Sequence, residues 1–313
     1  MLLKIPLMKY NTLLLFLIIF LFFIDAKPEN LKNKNQSICQ SVEYKLDAFG
    51  LDPLARELSL LLLEASEKGC GKTVEDIIKK GGLVNTRDKF ANTPFLMAAE
   101  SGHMEIVKFL QNKGANINHL NLRGKSPLLQ AIKKNRKKIV VYLISQKADP
   151  NIKSLDNETP LSAASFNGNL SIVKLLLKEG ADPKTIDGTG KSAIVYAAAK
   201  GFSDIVGVLI ENGVDVNKTY GNDLTALMWA SGSTDDTPTI DAIKTVKVLI
   251  ENNAKINLQD NLGMTALMYA SKQNSLEIVK LLIKSGADKN LKNKKHNNAF
   301  DLTENKEIKL ILK

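Results

Sequence analysis

The chain has 313 residues, of which 44% are hydrophobic and 24% are charged, a composition typical of a globular protein and not of a disordered one. Its formal net charge at pH 7 is +10, which attracts acidic partners over long distances but says nothing about the fold. Arginine occurs only at positions 56, 87, 123 and 136. Because lysine lacks the planar fork with which arginine reads phosphates and bases, this composition disfavours nucleic-acid binding.

The first 26 residues have the pattern of a secretory signal peptide. Lys4 and Lys9 precede an unbroken run of 12 apolar residues from Leu13 to Ile24, whereas a membrane-spanning helix needs about 20. We predict cleavage after Ala26 and export to the periplasm or the exterior. The alternative is an uncleaved signal that anchors the protein to the membrane.

Cys39 and Cys70 are the only two cysteines of the chain. Both follow the predicted cleavage site and would enter an oxidising compartment, so we predict one disulfide between them. The alternative is a pair of unlinked thiols.

Two series of residues recur every 33 positions, with one interval of 40. The first opens a short apolar segment, at Thr93, Ser126, Thr159, Ser192, Thr225, Thr265 and Asn298. The second keeps the same phase, at Asn85, Asn118, Asn151, Lys184, Asn217, Asn257 and Asn290. Because Ser, Thr and Asn side chains accept hydrogen bonds from the free amides at a helix start, the first series predicts seven helix N-termini.

Most of the predicted helices are followed by a residue that tolerates a left-handed turn. First helices end at Gly102, Asn135, Gly168, Gly201 and Asn274, and second helices end at Gly114, Gly180, Gly213, Asn253 and Gly286. Lys147 departs from this pattern. A helix-turn-helix unit of this size cannot bury its apolar face alone, so the units are expected to stack.

With these residues in view, the segment from about residue 60 to 313 resembles ankyrin repeats. The resemblance rests on the Thr-Pro-Leu opening, the Ala98-Ala99 pair, the Gly102-His103 turn, the Ile-Val pair of the second helix and the closing Gly-Ala-Asp/Asn. It implies an all-α solenoid of helix-turn-helix units with β-hairpin-like turn tips.

The predicted organisation follows from the repeat. A signal peptide (1–26) precedes a polar linker with N-terminal helices (27–59) and an ankyrin-repeat domain (60–313). That domain comprises an N-terminal cap (60–85), six full repeats (86–290) and a C-terminal cap (291–313). In the lead-in, a capping box at Ser37 is expected to start a helix. The fifth repeat carries a seven-residue insertion, which is expected to lengthen its second helix backwards from Thr237-Pro238.

The sequence offers no pattern for catalysis, cofactor or metal binding. Three Gly-Lys-Ser/Thr tripeptides, at Gly71, Gly124 and Gly190, lack the second glycine that a phosphate-binding loop needs five residues earlier, so we expect no nucleotide. The three histidines lie in different units without ligand spacing, and no metal is expected.

The resemblance also implies where a partner binds, namely at the turn tips and the exposed end of each first helix. The predicted partner-binding residues are Lys89, Phe90, Leu122, Arg123, Lys125, Lys133, Lys134, Leu155, Phe166, Lys191, Leu262 and Met264. Apolar side chains at exposed tips favour a contact surface. The alternative is that they pack between adjacent tips.

These observations predict a monomeric, non-enzymatic module that binds a protein after export. A second hypothesis, from the lysine excess, is a binder of polyanions or membrane surfaces. A third is a secreted effector, or an inhibitor of a co-exported enzyme.

Overall fold

The structure is a computed structural model that describes residues 28–49, 54–232 and 239–313. It divides into two compact units, residues 1–83 and 84–313. The predicted signal peptide, and Thr237 and Pro238 of the insertion, lie outside the described residues. Among the described helices, none combines the length and apolar character needed to cross a membrane.

The described part of the first unit contains three helices, α1 (Pro28–Ala48), α2 (Ala55–Lys68) and α3 (Gly71–Lys79). Helix α1 runs through Ser37 without interruption, so the helix start expected at Ser37 is wrong. Polar residues dominate the whole of α1. The capping pattern at Ser37 therefore lies among similar residues inside a continuous helix and does not mark its start. Helix α2 crosses the predicted boundary between residues 59 and 60.

A cross-link and a small ion cluster join the helices of this unit. The sulfurs of Cys39 and Cys70 lie at disulfide distance, and their Cα atoms are 5.3 Å apart. Lys45 of α1 donates to both carboxylate oxygens of Glu64 of α2, at 2.8 and 2.9 Å, and Lys68 also binds Glu64. Burial raises the pKa of Glu64, but the hydrogen bonds from Lys45 and Lys68 outweigh burial and hold the pKa below its usual value.

The described part of the second unit contains six helix pairs, which we number as repeats 1 to 6. They are α4 (Pro94–Ser101) with α5 (Met104–Asn112), α6 (Pro127–Lys133) with α7 (Lys137–Ser145), α8 (Pro160–Phe166) with α9 (Leu170–Lys178), α10 (Ala193–Ala199) with α11 (Ser203–Glu211), α12 (Ala226–Ser231) with α13 (Thr239–Glu251), and α14 (Ala266–Lys272) with α15 (Leu276–Lys284). Helix α16 (Lys306–Leu312) follows. Each first helix packs against the first helices of the neighbouring repeats, as a stacked solenoid requires.

The predicted cap bonds form at six of the seven positions, and five of these six stand at the start of a helix. The hydroxyl oxygen of each of five residues accepts a hydrogen bond from the third amide of its helix, at Thr93, Ser126, Thr159, Thr225 and Thr265. In the described part of the chain, Ser192 makes no such cap bond. Asn298 also accepts a hydrogen bond from the third amide after it, that of Asp301, and Asp301 accepts one from the amide of Asn298, but only a turn follows there, and no helix starts at Asn298 within residues 239–313.

The helix ends and the insertion follow the sequence pattern. All ten Gly and Asn residues predicted to end helices have positive φ. Lys147 adopts the same conformation, with φ 63°, although a side chain with Cβ disfavours it. Helix α13 has 13 residues where the other second helices have 9, which agrees with the lengthening expected from the insertion.

The second series of the sequence forms a ladder of side-chain bridges. Asn151 donates to the carbonyl of Gly180 (2.8 Å) and accepts from the amide of Asp182 (2.9 Å). Asn85, Asn217 and Asn257 make the same two bonds one repeat onward. These bridges fix the spacing of successive repeats and satisfy the carbonyl after four of the six second helices.

The core of the second unit is built from the apolar positions of both helices. Phe95, Leu128, Leu161 and Ile194, which follow the caps, are at most 1% exposed. The Ile-Val pairs of the second helices are buried as well. The apolar stripe of each helix is therefore buried against neighbouring helices. The surface that is left for binding a partner lies at the tips and the helix ends.

Candidate functional site

The loops that precede the first helices of repeats 1, 2, 4 and 6, and the loop of residues 293–297, form tight tips that are each held by one side-chain acceptor. Asp187 Oδ1, for example, accepts from the amides of Thr189 (2.8 Å) and Lys191 (3.1 Å). Asp88, Asn121, Asp260 and Asn293 make the equivalent pair of bonds in their own tips. The tips are thus shaped by residues of the chain itself and present a preformed surface.

Backbone hydrogen bonds join neighbouring tips into a continuous edge. The amide of Leu122 donates to the carbonyl of Phe90 (2.9 Å), and the amide of Leu155 donates to the carbonyl of Arg123 (3.0 Å). In the next tip, the amide of Gly188 donates to the carbonyl of Asp156 (2.7 Å). The fifth tip is a short antiparallel hairpin, β1 (Thr219–Tyr220) with β2 (Leu224–Thr225). The tips are hairpin-like, as the resemblance implies.

The predicted apolar residues at the tips and helix ends reach solvent. The exposed fractions of Phe90, Leu122, Leu155, Phe166 and Leu262 lie between 50% and 75%. These side chains therefore do not pack away between adjacent tips. Together with the first-helix ends that follow them, the loop tips of repeats 1 to 6 form what we call the tip surface.

Met264 is the exception, because it is only 8% exposed and the exposure predicted for it is wrong. It lies directly before the cap Thr265, and Asn293 of the next tip donates to its sulfur (3.3 Å). Lys125 and Lys191 occupy the same position of their repeats and are half-buried. Side chains at this position lean toward the neighbouring repeat, which the sequence pattern alone does not reveal.

The predicted basic residues differ in how far their charges are neutralised. Lys133 binds Glu158 at 2.7 Å, and Lys134 lies 3.5 Å from Glu100. Lys89 lies over the ring of Phe90, 5.0 Å from its centroid. Part of the positive charge of the tip surface is therefore already paired within the chain.

A cleft of about 510 Å³ opens in the tip surface across repeats 2 to 4. Phe166 and Tyr196 form its aromatic walls, with ring centroids 5.8 Å apart and planes at 86°. Ala163 lies in the lining where the same position of the flanking repeats holds Gln130 and Tyr196. The small side chain of Ala163 leaves the space that the cleft occupies.

Two of the residues predicted for partner binding, Lys133 and Phe166, line this cleft, and Tyr196 is not among the predicted residues. The signal was present, because Tyr196, Trp229 and Tyr269 stand at one position of successive repeats, 33 and 40 residues apart. Lys191 lies 6.0 Å from the ring centroid of Tyr196 and 5.4 Å from that of Trp229. An aromatic row therefore continues from the cleft toward repeat 6.

Two of these tyrosines donate their hydroxyl hydrogens to the acid of their own tip, Tyr196 to Asp187 and Tyr269 to Asp260. Burial and, after it, the hydrogen bond to Asp187 raise the pKa of Tyr196 to about 12. Burial raises the pKa of Asp187, but the hydrogen bonds that it accepts from Tyr196 and Thr189 outweigh burial and leave the pKa lowered. Asp187 is consequently a charged carboxylate at neutral pH.

The comparison with known families agrees with this architecture. A family model described as ankyrin repeats matches three times, over residues 62–154, 146–220 and 218–293. These matches cover most of the chain, which belongs to the ankyrin-repeat family. Repeats of this family generally mediate protein–protein interactions and are typically not enzymes. No curated protein matches the chain.

Proposed function

We propose that this protein is exported and binds a folded protein partner through the tip surface, on the concave face of its repeats. The observation that carries the proposal is the set of exposed apolar side chains, Phe90, Leu122 and Leu155 on tips joined by backbone hydrogen bonds and Phe166 at the end of α8. A rigid, preformed apolar surface binds with little loss of conformational entropy. Its flanking lysines supply charge for orientation.

The test is affinity capture with the wild type and with a Phe90→Ala/Phe166→Ala variant. The matched control is Val141→Ala/Ile240→Ala, which removes apolar side chains of similar exposure, 49% and 58%, from second helices. We expect the tip variant to lose the captured protein and the control to retain it. If both variants retrieve the same partner as the wild type, the tip surface is not the binding site.

The alternative of a polyanion or membrane-surface binder rests on the net charge of +10. Binding of that kind falls steeply as the salt concentration rises, because it releases counterions. If the captured ligand is lost between low and physiological ionic strength but survives the Phe90→Ala/Phe166→Ala change, the polyanion alternative replaces our proposal.

Export is tested separately, by fractionating the producing cells and measuring the intact mass and N-terminal sequence of the protein. Cleavage after Ala26 gives a mature chain that begins at Lys27. A full-length chain in the membrane fraction supports the uncleaved anchor instead, and a full-length chain in the cytosol contradicts export. The disulfide-distance pair Cys39 and Cys70 is compatible with an oxidising location.

A further inference from the structure

We infer that the cleft of repeats 2 to 4 receives a basic side chain, arginine or lysine, of the protein partner. The inference rests on the proposed function, because it specifies which chemical group of a partner enters the tip surface. The cleft differs in charge from the chain as a whole. The lining of the cleft holds three carboxylates, Asp156, Glu158 and Asp187, and the ammonium group of Lys133, while the whole chain carries +10.

The ammonium group of the lining is already engaged. Lys133 donates to both carboxylate oxygens of Glu158, at 2.8 and 2.7 Å, so this pair contributes little net charge to the cleft. Asp156 and Asp187 remain. Asp156 is exposed, and none of the described residues donates a hydrogen bond to its carboxylate. The cleft therefore offers the Asp156 carboxylate, which accepts no hydrogen bond from a described residue, and the charge of Asp187, whose oxygens accept hydrogen bonds only from neutral donors, including Tyr196.

The walls of the cleft suit a cation as well. Aromatic faces attract ammonium and guanidinium groups within about 6 Å of the ring centroid, and the chain already uses these rings in this way. Lys200 lies 5.6 Å from the centroid of Phe166, and Lys191 lies 6.0 Å from that of Tyr196. A guanidinium group can stack on a ring and bind a carboxylate at once, and the cleft presents Phe166 and Tyr196 next to Asp156 and Asp187.

An acidic guest is the competing occupant, since Lys191 and Lys200 lie close to the same rings. It fits the cleft less well for two reasons. A carboxylate inside the cleft would meet Asp156 and Asp187, and like charges in contact are destabilising. It would also find Lys133 bound to Glu158, so that binding Lys133 would first require breaking an existing ion pair. Charge complementarity consequently favours the cation.

The experiment titrates the full chain with three capped tripeptides, Gly-Arg-Gly, Gly-citrulline-Gly and Gly-Glu-Gly. Binding is followed by NMR at the backbone amides of Gly188 and Thr189, which line the cleft. Citrulline has the shape of arginine without its charge. We expect saturable shifts at these two amides with the arginine peptide and much smaller shifts with the other two.

A pair of variants assigns the site. Asp156→Asn should weaken binding of the arginine peptide about fivefold, because a loss of this size is expected when one exposed ion pair is removed. Asp204→Asn removes the same charge from an exposed position on α11 and should leave the affinity unchanged. The Asp156 carboxylate accepts no hydrogen bond from a described residue, so its replacement is not expected to disturb the fold.

The inference is overturned if the glutamate peptide shifts these amides more than the arginine peptide, if all three peptides act alike, or if the two variants have equal effects. None of these results would contradict the proposed function, because that depends on capture by the Phe90 and Phe166 surface. The opposite outcome is also distinguishable. If the arginine peptide binds in the cleft but the Phe90→Ala/Phe166→Ala variant still captures the partner, the cleft binds a basic side chain and the tip surface is not the partner-binding site.

Discussion

At the scale of single residues, one interruption in the asparagine ladder defines an informative site. Lys184 stands where Asn85, Asn151, Asn217 and Asn257 bridge successive repeats. Its backbone has the geometry of the others, since its amide donates to Asp182 (2.9 Å) as the amide of Asn151 donates to Asp149 (2.8 Å). The lysine side chain cannot accept a hydrogen bond, and so it cannot reproduce the asparagine bridge.

We predict that Lys184→Asn stabilises the protein by about 1 kcal/mol, because it supplies an acceptor for the amide of Asp215 and a donor for the carbonyl of Gly213. The measurement is urea unfolding followed by the fluorescence of Trp229, the only tryptophan. The control Lys153→Asn changes an exposed lysine outside the ladder. Equal stabilities of the two variants would show that the missing bridge does not limit the stability of the repeat stack.

Also at this scale, the bond between Tyr196 and Asp187 predicts an alkaline titration. A phenol whose pKa rises from 10.0 to about 12 on folding favours the folded state fully below pH 10, and this stabilisation is lost as the pH rises toward 12. Asp187→Asn keeps the tip, because Asn121 and Asn293 make the same amide bonds at that position.

We therefore expect Asp187→Asn to lower the pKa of Tyr196 while leaving the contribution of burial in place. Phenolate absorbance between pH 10 and 12 measures the change, with more phenolate in the variant than in the wild type at each pH. A matched Asp260→Asn variant reports on Tyr269. Unchanged absorbance in the Asp187→Asn variant would mean that burial alone sets the pKa of Tyr196.

At the scale of helices, the repeat phase predicted the N-termini well, because a cap depends only on one side chain and the first turn. Thr93 and Ser126 start helices where the sequence places them. The same reasoning failed at Ser37, where a capping pattern lies inside a longer helix. It also failed to find the cleft, whose shape depends on Ala163 lying between two larger residues of neighbouring repeats. A local pattern does not record which side chains become neighbours in the stack.

The two serines at equivalent caps give a prediction with an internal control. Ser126 accepts a hydrogen bond from the amide of Leu129 (3.2 Å), and within the described residues Ser192 makes no corresponding cap bond. Ser126→Ala should destabilise the protein by about 1 kcal/mol, and Ser192→Ala should cost clearly less. Thermal unfolding followed by circular dichroism compares the two. If the two losses are equal, the cap bond contributes nothing beyond the change in side chain.

At the scale of the whole molecule, the net charge of the chain does not reveal how charge is distributed over its surface. The chain carries +10, yet the cleft is lined by three carboxylates and one lysine. The stacking brings together Lys133, Asp156 and Asp187, which lie in three different repeats. A sum over the sequence cannot show this local reversal, because it follows from the stacking. The apolar tips, in contrast, were predictable, because the phase places them in loops.

A disulfide between Cys39 and Cys70, which lie at disulfide distance, would link the stability of the first unit to the compartment where the protein folds. Closing a loop with a sequence separation of 31 residues between Cys39 and Cys70 stabilises a chain by about 3 to 4 kcal/mol in the chain-entropy model. We expect a Cys39→Ser/Cys70→Ser variant to exchange its amide hydrogens faster in α2 and α3 than the oxidised wild type, as measured by mass spectrometry. Reductant should bring the wild type to the same rates and leave the variant unchanged. If oxidised wild type and variant exchange alike, the cross-link adds no stability to the first unit. If the prediction holds, this unit is weaker in a reducing cytosol than after export, and the redox state of the compartment sets how firmly its helices are held.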